Sequence, residues 1–151
     1  MNTYINELFN LEKKNVLIIG AGGHICSALA EGFARSGCSI IIADLRLEKA
    51  LTVKKDIIEK GFKDVLAFEL DVSKKKDHQK VLDEIINSHG KLDILINGAG
   101  INGATPFFNI DLKEWYSILD SQITGTFLGC QVFGKHMLEN KFGNIIKLAK
   151  E

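Results

Sequence analysis

Short apolar runs alternate along this chain with longer stretches of mixed polarity. VLIIG (16–20), SIIIAD (39–44), DVLAFELDV (64–72), LDILING (92–98) and NIIKLA (144–149) are rich in Ile, Val and Leu. Continuous rather than alternating apolar character predicts strands of a parallel sheet covered on both faces. Between them, the segments 25–36, 47–60, 74–88 and 112–140 carry helical spacing. Leu29, Ala30 and Phe33 form the apolar stripe of the first, and Val81, Leu82, Ile85 and Ile86 that of the third. Gly37, Gly61 and Gly90 fall just past helical stretches, where a left-handed terminating turn is wanted. Pro106 sits in the loop after the fourth strand and interrupts no element. Strand–helix–strand alternation of this kind builds right-handed βαβ units and a doubly wound α/β sheet. One domain over 1–151 is expected, with three αβα layers.

Composition narrows the function classes. The chain has 151 residues, 46% hydrophobic and 25% charged, an ordinary globular balance. Its 19 basic and 19 acidic residues cancel, so no net field favours nucleic acid or an anionic membrane. The first fourteen residues lack the pattern of a signal peptide, and no apolar run is long enough to cross a bilayer. Cys26, Cys38 and Cys130 are odd in number and widely spaced, which predicts reduced thiols and a cytoplasmic protein. His24, His78, His89 and His136 are scattered and make no zinc-site spacing, so no metal is expected.

Chemistry is concentrated at the strand ends. In a doubly wound sheet, ligands bind beyond the carboxyl ends of the strands, where strand order reverses. The first such turn reads Gly20-Ala21-Gly22-Gly23-His24-Ile25-Cys26. Its glycines permit a sharp turn and close approach to a pyrophosphate, and the following helix offers unpaired N–H groups. A plain glycine-rich βα turn would look the same. Asp44, about twenty residues on, ends the second strand where a carboxylate can accept from ribose hydroxyls. Its charge disfavours a 2′-phosphate, so NAD is expected over NADP, with Arg46 nearby to soften the preference.

Two further strand ends complete a pattern. Asp71-Val72 closes the third strand and Asn97-Gly98-Ala99-Gly100 the fourth. With LFNLEKKNVLIIGAGG, LDVS, HGKLDILINGAG, LKEWYSIL, TGTFLGCQVFGKHM and FGNIIKLA in order, the chain resembles the short-chain dehydrogenase/reductase family over nearly its whole length. The resemblance implies a Rossmann-like fold and alcohol–carbonyl interconversion by hydride transfer. It places Asp71 at the adenine ring, packs Val72 on it, makes Asn97 a brace for the central strand, and leaves room for cofactor at Gly98 to Gly100. The expected cofactor-binding set is Gly20, Gly23, His24, Ile25, Asp44, Leu45, Asp71, Val72, Asn97, Gly98, Ala99 and Gly100.

Departures from the family pattern fall at functional positions. Ile19 stands where the family usually has Thr, and Cys26 takes the place of the turn's last glycine, which predicts a looser fit rather than exclusion of cofactor. The family's catalytic Asn, Ser and Tyr-x-x-x-Lys are not reproduced. Gln122 occupies the Asn position, moving the amide by one methylene, and Lys150 occupies the Ser position. Tyr4 lies before the first strand and Tyr116 early in the long helix, so neither is expected to substitute.

The resemblance therefore implies an NAD(H)-binding N-terminal portion, C-terminally shortened, lacking the family's final strands and helices and without intact catalytic residues. The alternatives are a non-catalytic module binding NAD(H) or a partner, and a relic that binds nothing. Shortening would leave the fifth strand as a bare edge and uncover Phe127, Leu128, Val132, Phe133 and Met137, so self-association through the 112–140 helix is expected. No substrate is legible.

Overall fold

The computed structural model describes Tyr4 and residues 8–148. Five parallel strands lie in the order β3-β2-β1-β4-β5: β1 Asn15–Ile19, β2 Ser39–Asp44, β3 Val65–Glu69, β4 Ile94–Asn97 and β5 Asn144–Lys147. The order reverses between β1 and β4, which pair from Val16↔Ile94 to Ile19↔Asn97. That reversal opens the crevice of a doubly wound sheet. The strands are shorter than the apolar runs, most of all β3, because the flanking residues leave the ladder to form the turns of the site.

Alternate strand residues feed two cores, because successive side chains point to opposite faces. Val16, Ile18, Ile40 and Ile42 pack against α1 (His24–Arg35) and α2 (Leu47–Glu59), where Cys26, Ala30, Ala50 and Val53 are buried. Leu17, Ile19, Ile41 and Leu95 face the other side, against α3 (Lys75–His89) and the long carboxyl-terminal helical run. Gly37, Gly61 and Gly90 follow α1, α2 and α3 with positive φ, as their placement predicts. The predicted stripe of α3 holds for Val81, Leu82 and Ile85, while Ile86 is exposed.

The helix expected over 112–140 is not uniform. It comprises α4 (Leu112–Leu119), a π-helical turn over Asp120–Thr124, and α5 (Gly125–Glu139). The predicted uncovered stripe also needs correction. Val132, Phe133 and Met137 are buried beneath the sheet, Leu128 is half-buried, and only Phe127 of that set is exposed. The apolar surface left open lies one step round the helix: Leu138, with Phe142 and Ile145, borders a groove of about 820 Å³ between α5 and β5. β5 is a sheet edge, and all four of its residues are exposed.

At the amino ends of the strands, Asp93 is fully buried. Its Oδ2 accepts from the Asn15 amide at 3.0 Å, and its Oδ1 lies 2.8 Å from Lys91 Nζ. This buried charge ties β1 to β4 at the end opposite the crevice.

Candidate dinucleotide site

The crevice at the carboxyl ends of β1 and β4 is a cleft of about 690 Å³. Of the predicted set, Gly20, Gly23, Asp44, Leu45, Asp71, Val72, Gly98, Ala99 and Gly100 line it together. Three do not. His24 and Ile25 are exposed on the first turn of α1, and Asn97 lies behind the cleft, buried in β4. Lys150 falls outside the described residues.

The glycine turn is built by close contact. Gly20 has φ +79°, and a Cβ there would stand 2.7 Å from both N and Cα of Ala99. Backbone meets backbone between the β1 and β4 turns, so only glycine fits. A Cβ at Gly22 would lie 2.9 Å from Asp44 Oδ2. Gly23 precedes α1 as its cap, and no side chain caps that terminus. The N–H groups of the first helical turn therefore remain for an anion in the cleft.

Asp44 organises the same turn. It is 9% exposed, its Oδ2 accepts from the Gly22 amide at 3.0 Å, and its Oδ1 accepts from the Arg46 amide at 3.1 Å. Each carboxylate oxygen keeps a further lone pair for a donor in the cleft. Arg46 and Lys49 line the cleft beside it.

At the third strand end, the Asp71 carboxylate accepts from the amide and hydroxyl of Ser73 through Oδ1 and pairs with Lys74 Nζ at 2.9 Å through Oδ2. Burial alone would push this carboxyl up. The hydrogen bonds from Lys74 and Ser73 outweigh it and hold the group below the usual carboxylate value, so it is ionised at neutral pH.

Of the departures inside the described residues, Cys26 and Gln122 have clear places. Cys26 is 4% exposed and its Sγ packs on Gly98, close to the Ile19 carbonyl. The thiol thus fills the helix–strand contact rather than the cleft. Gln122 lies in the π-helical turn, where its Nε2 donates to the Ile101 carbonyl at 3.2 Å. Its amide also fills the space in front of Gly100, where a Cβ would come within 2.7 Å of Cδ.

Asn97 Oδ1 occupies the gap left by Gly129 of α5, and its Nδ2 is buried without a hydrogen-bond partner among the described residues. The brace expected at this position is thus a contact of side chain against helix backbone.

Lys49, Ser117, Asp120 and Ser121 also line the cleft and were not found from sequence. They arrive from α2, from α4 and from the π-helical turn, and only the tertiary fold brings them there. Asp120 and Ser121 lie beside the Asn-like position 122, the one signal that could have pointed to them. No cluster of metal-ligating side chains occurs among the described residues.

Known proteins share this fold. A family model for short chain dehydrogenase matches residues 14–149, and the chain belongs to that family of oxidoreductases. It is similar to 5-keto-D-gluconate 5-reductase of Escherichia coli (strain K12), 33% identical over 144 residues, covering 95% of this chain and 56% of that protein. The mitochondrial borneol dehydrogenase of Lavandula x intermedia is 35% identical over 144 residues, with 94% and 53% covered. A short-chain type dehydrogenase/reductase from Mycobacterium marinum superposes with TM-score 0.90 at 28% identity, over 97% of this chain and 57% of that one. A Burkholderia phymatum member solved in complex with NAD shares the fold, with TM-score 0.88 at 24% identity over 94% and 50%. The chain spans about half the length of the curated relatives it matches.

Proposed function

We propose that this chain is a nicotinamide-dinucleotide-binding portion of a short-chain oxidoreductase, and that its 151 residues do not transfer hydride unaided. The observation that carries the first half is the Gly20–Ala99 approach with the Asp44 carboxylate beside it. That cradle admits a pyrophosphate against the bare α1 terminus and offers a ribose an acceptor at Asp44. Asp71 and Val72 would form the wall for the adenine, and Gly98 to Gly100 the floor toward the nicotinamide. A bound nicotinamide supplies a ring that accepts or releases hydride. NAD is favoured over NADP because Asp44 is a buried carboxylate, with Arg46 and Lys49 reducing the discrimination.

The second half rests on side chains already in use. The Gln122 Nε2 donates to the Ile101 carbonyl, which ties this amide to the backbone of the loop after β4. No Tyr-x-x-x-Lys occurs among the 151 residues, and none of the cleft side chains supplies an equivalent acid–base pair. Titration with NADH and NADPH, followed by nicotinamide fluorescence, tests the binding half. Saturable NADH binding, weaker for NADPH, is expected. Turnover of NADH with a panel of ketones by the purified chain would overturn the catalytic half.

A further inference from the structure

The Asp71–Val72 turn is held from below by two neighbouring side chains at the start of α3. Asp77 Oδ2 accepts from the Asp71 amide at 3.2 Å. His78 Nε2 lies 2.9 Å from the Val72 carbonyl oxygen. A carbonyl only accepts, so Nε2 carries the hydrogen and Nδ1 is the bare nitrogen. The ring is fully buried, packs edge-on against Phe133 of α5 with centroids 5.7 Å apart, and its Nδ1 has no hydrogen-bond partner among the described residues.

Val72 is fixed on a second side as well. A Cβ on Gly125, the first residue of α5, would stand 2.7 Å from Val72 Cβ. The turn is therefore gripped between α3 and α5, with one face left open to the cleft. A buried imidazole is a costly way to fill space beside Phe133, since a leucine would pack there without a stranded nitrogen. What the imidazole adds is one directed hydrogen bond to the backbone of the turn.

From this geometry we infer that His78 is a positioning residue for the adenine end of the cleft. Through the Val72 carbonyl it fixes the height of the Asp71–Val72 wall, and Asp77 fixes the same wall through the Asp71 amide. This inference rests on the dinucleotide reading of the cleft. The chemistry it governs is adenine recognition. The ionised Asp71 carboxylate accepts from an exocyclic amine such as adenine carries, and it repels the oxygen that hypoxanthine has in its place.

The test uses the full chain and two variants. His78→Leu removes the donor, and His78→Gln keeps an N–H of similar reach. Without ligand, amide hydrogen exchange at Ser73 and Lys74, both bonded within the turn, should speed up by about tenfold or more in His78→Leu, relative to amides of α2, and recover in His78→Gln. With ligand, the preference for NADH over its hypoxanthine analogue should fall toward unity in His78→Leu and return in His78→Gln. That ratio is insensitive to the fraction of folded protein, so loss of stability alone does not move it. Unchanged turn exchange together with an unchanged preference overturns the inference. If the wild-type chain binds neither dinucleotide, the cofactor reading fails, and the exchange measurement alone upholds or sinks the clamp.

Discussion

The Cys26 thiol stands in the space that a side chain at Gly98 would need: a methyl group there would collide with its Sγ. The two positions are complementary, one filled because the other is empty. A cysteine in place of the turn's last glycine is thus absorbed on the side of the helix that faces β1 and β4. It does not intrude on the cleft.

This complementarity predicts coupling between the two sites. Gly98→Ala alone should destabilise the chain by about 1–3 kcal/mol through overpacking, with the Ile19 carbonyl also within 3.0 Å of the new methyl. Combining it with Cys26→Gly should recover part of that loss. Chemical denaturation of the two single variants and the double variant measures the coupling. An additive result to within about 0.5 kcal/mol would show that the thiol does not set the packing at 98.

Asp44 holds the glycine turn through the Gly22 amide, and in the proposed function it also meets the ribose. Asp44→Asn keeps an acceptor for the Gly22 amide and removes the charge. The NADPH-to-NADH affinity ratio should rise, because the repulsion of the 2′-phosphate is gone while Arg46 and Lys49 remain. Asp44→Ala should weaken NADH binding by about ten- to a hundredfold, the worth of hydrogen bonds to a charged group. Parallel fluorescence titrations of both variants check this. Equal NADPH and NADH responses across wild type and Asp44→Asn would remove Asp44 from the ribose site.

The buried His78 gives stability a definite dependence on pH. Burial pushes the imidazole below its usual value, against the Val72 hydrogen bond and the attraction of Asp77 and Asp71, the charged groups that act on it. The unfolded chain therefore binds more protons than the folded one as pH falls through about 6.5, the ordinary imidazole value. The stabilising contribution is full above that pH and is lost progressively below it, by at most about 1.4 kcal/mol per pH unit. Asp71 adds a second, more acidic window. Its lowered carboxyl contributes stability that is present above the usual carboxylate value and disappears as pH falls through the folded one. Thermal melts from pH 8 to pH 5 should show a decline beginning near 6.5 that His78→Gln flattens. A decline of unchanged size in His78→Gln would assign it to another group.

The open apolar surface predicts association. Leu138 is 80% exposed, and Ile145 lies on the edge strand. Sedimentation velocity should show concentration-dependent species that Leu138→Glu suppresses, because a charge there opposes desolvation of the groove. A single monomer at every concentration would mean that this surface tolerates water.

The sheet and the glycine turn were legible in the sequence because each depends on local chemistry. Continuous runs such as VLIIG and SIIIAD need cover on both faces, and Gly20 needs its positive φ. The burial of Val132, Phe133 and Met137 was not legible. A helix with apolar residues on more than one side does not declare which side meets the sheet. The π-helical turn around Gln122 has no composition signal of its own, and its ties from Ser121 and Gln122 to the Ile101 backbone join residues about twenty positions apart. In the sequence His78 is one of four scattered histidines with no partner at metal-site spacing. Its place beneath Val72 follows only from how α3 docks on the third strand end.

Isothermal calorimetry of NADH into the wild-type chain, run beside Gly20→Ala, tests the central claim most directly. A methyl at position 20 meets both a positive φ and the Ala99 backbone at 2.7 Å, so that variant cannot keep the cradle intact. The account predicts one saturable site with a Kd below about 1 mM for wild type, lost in Gly20→Ala. No heat of binding in the folded wild-type chain, or equal binding by both proteins, would contradict it.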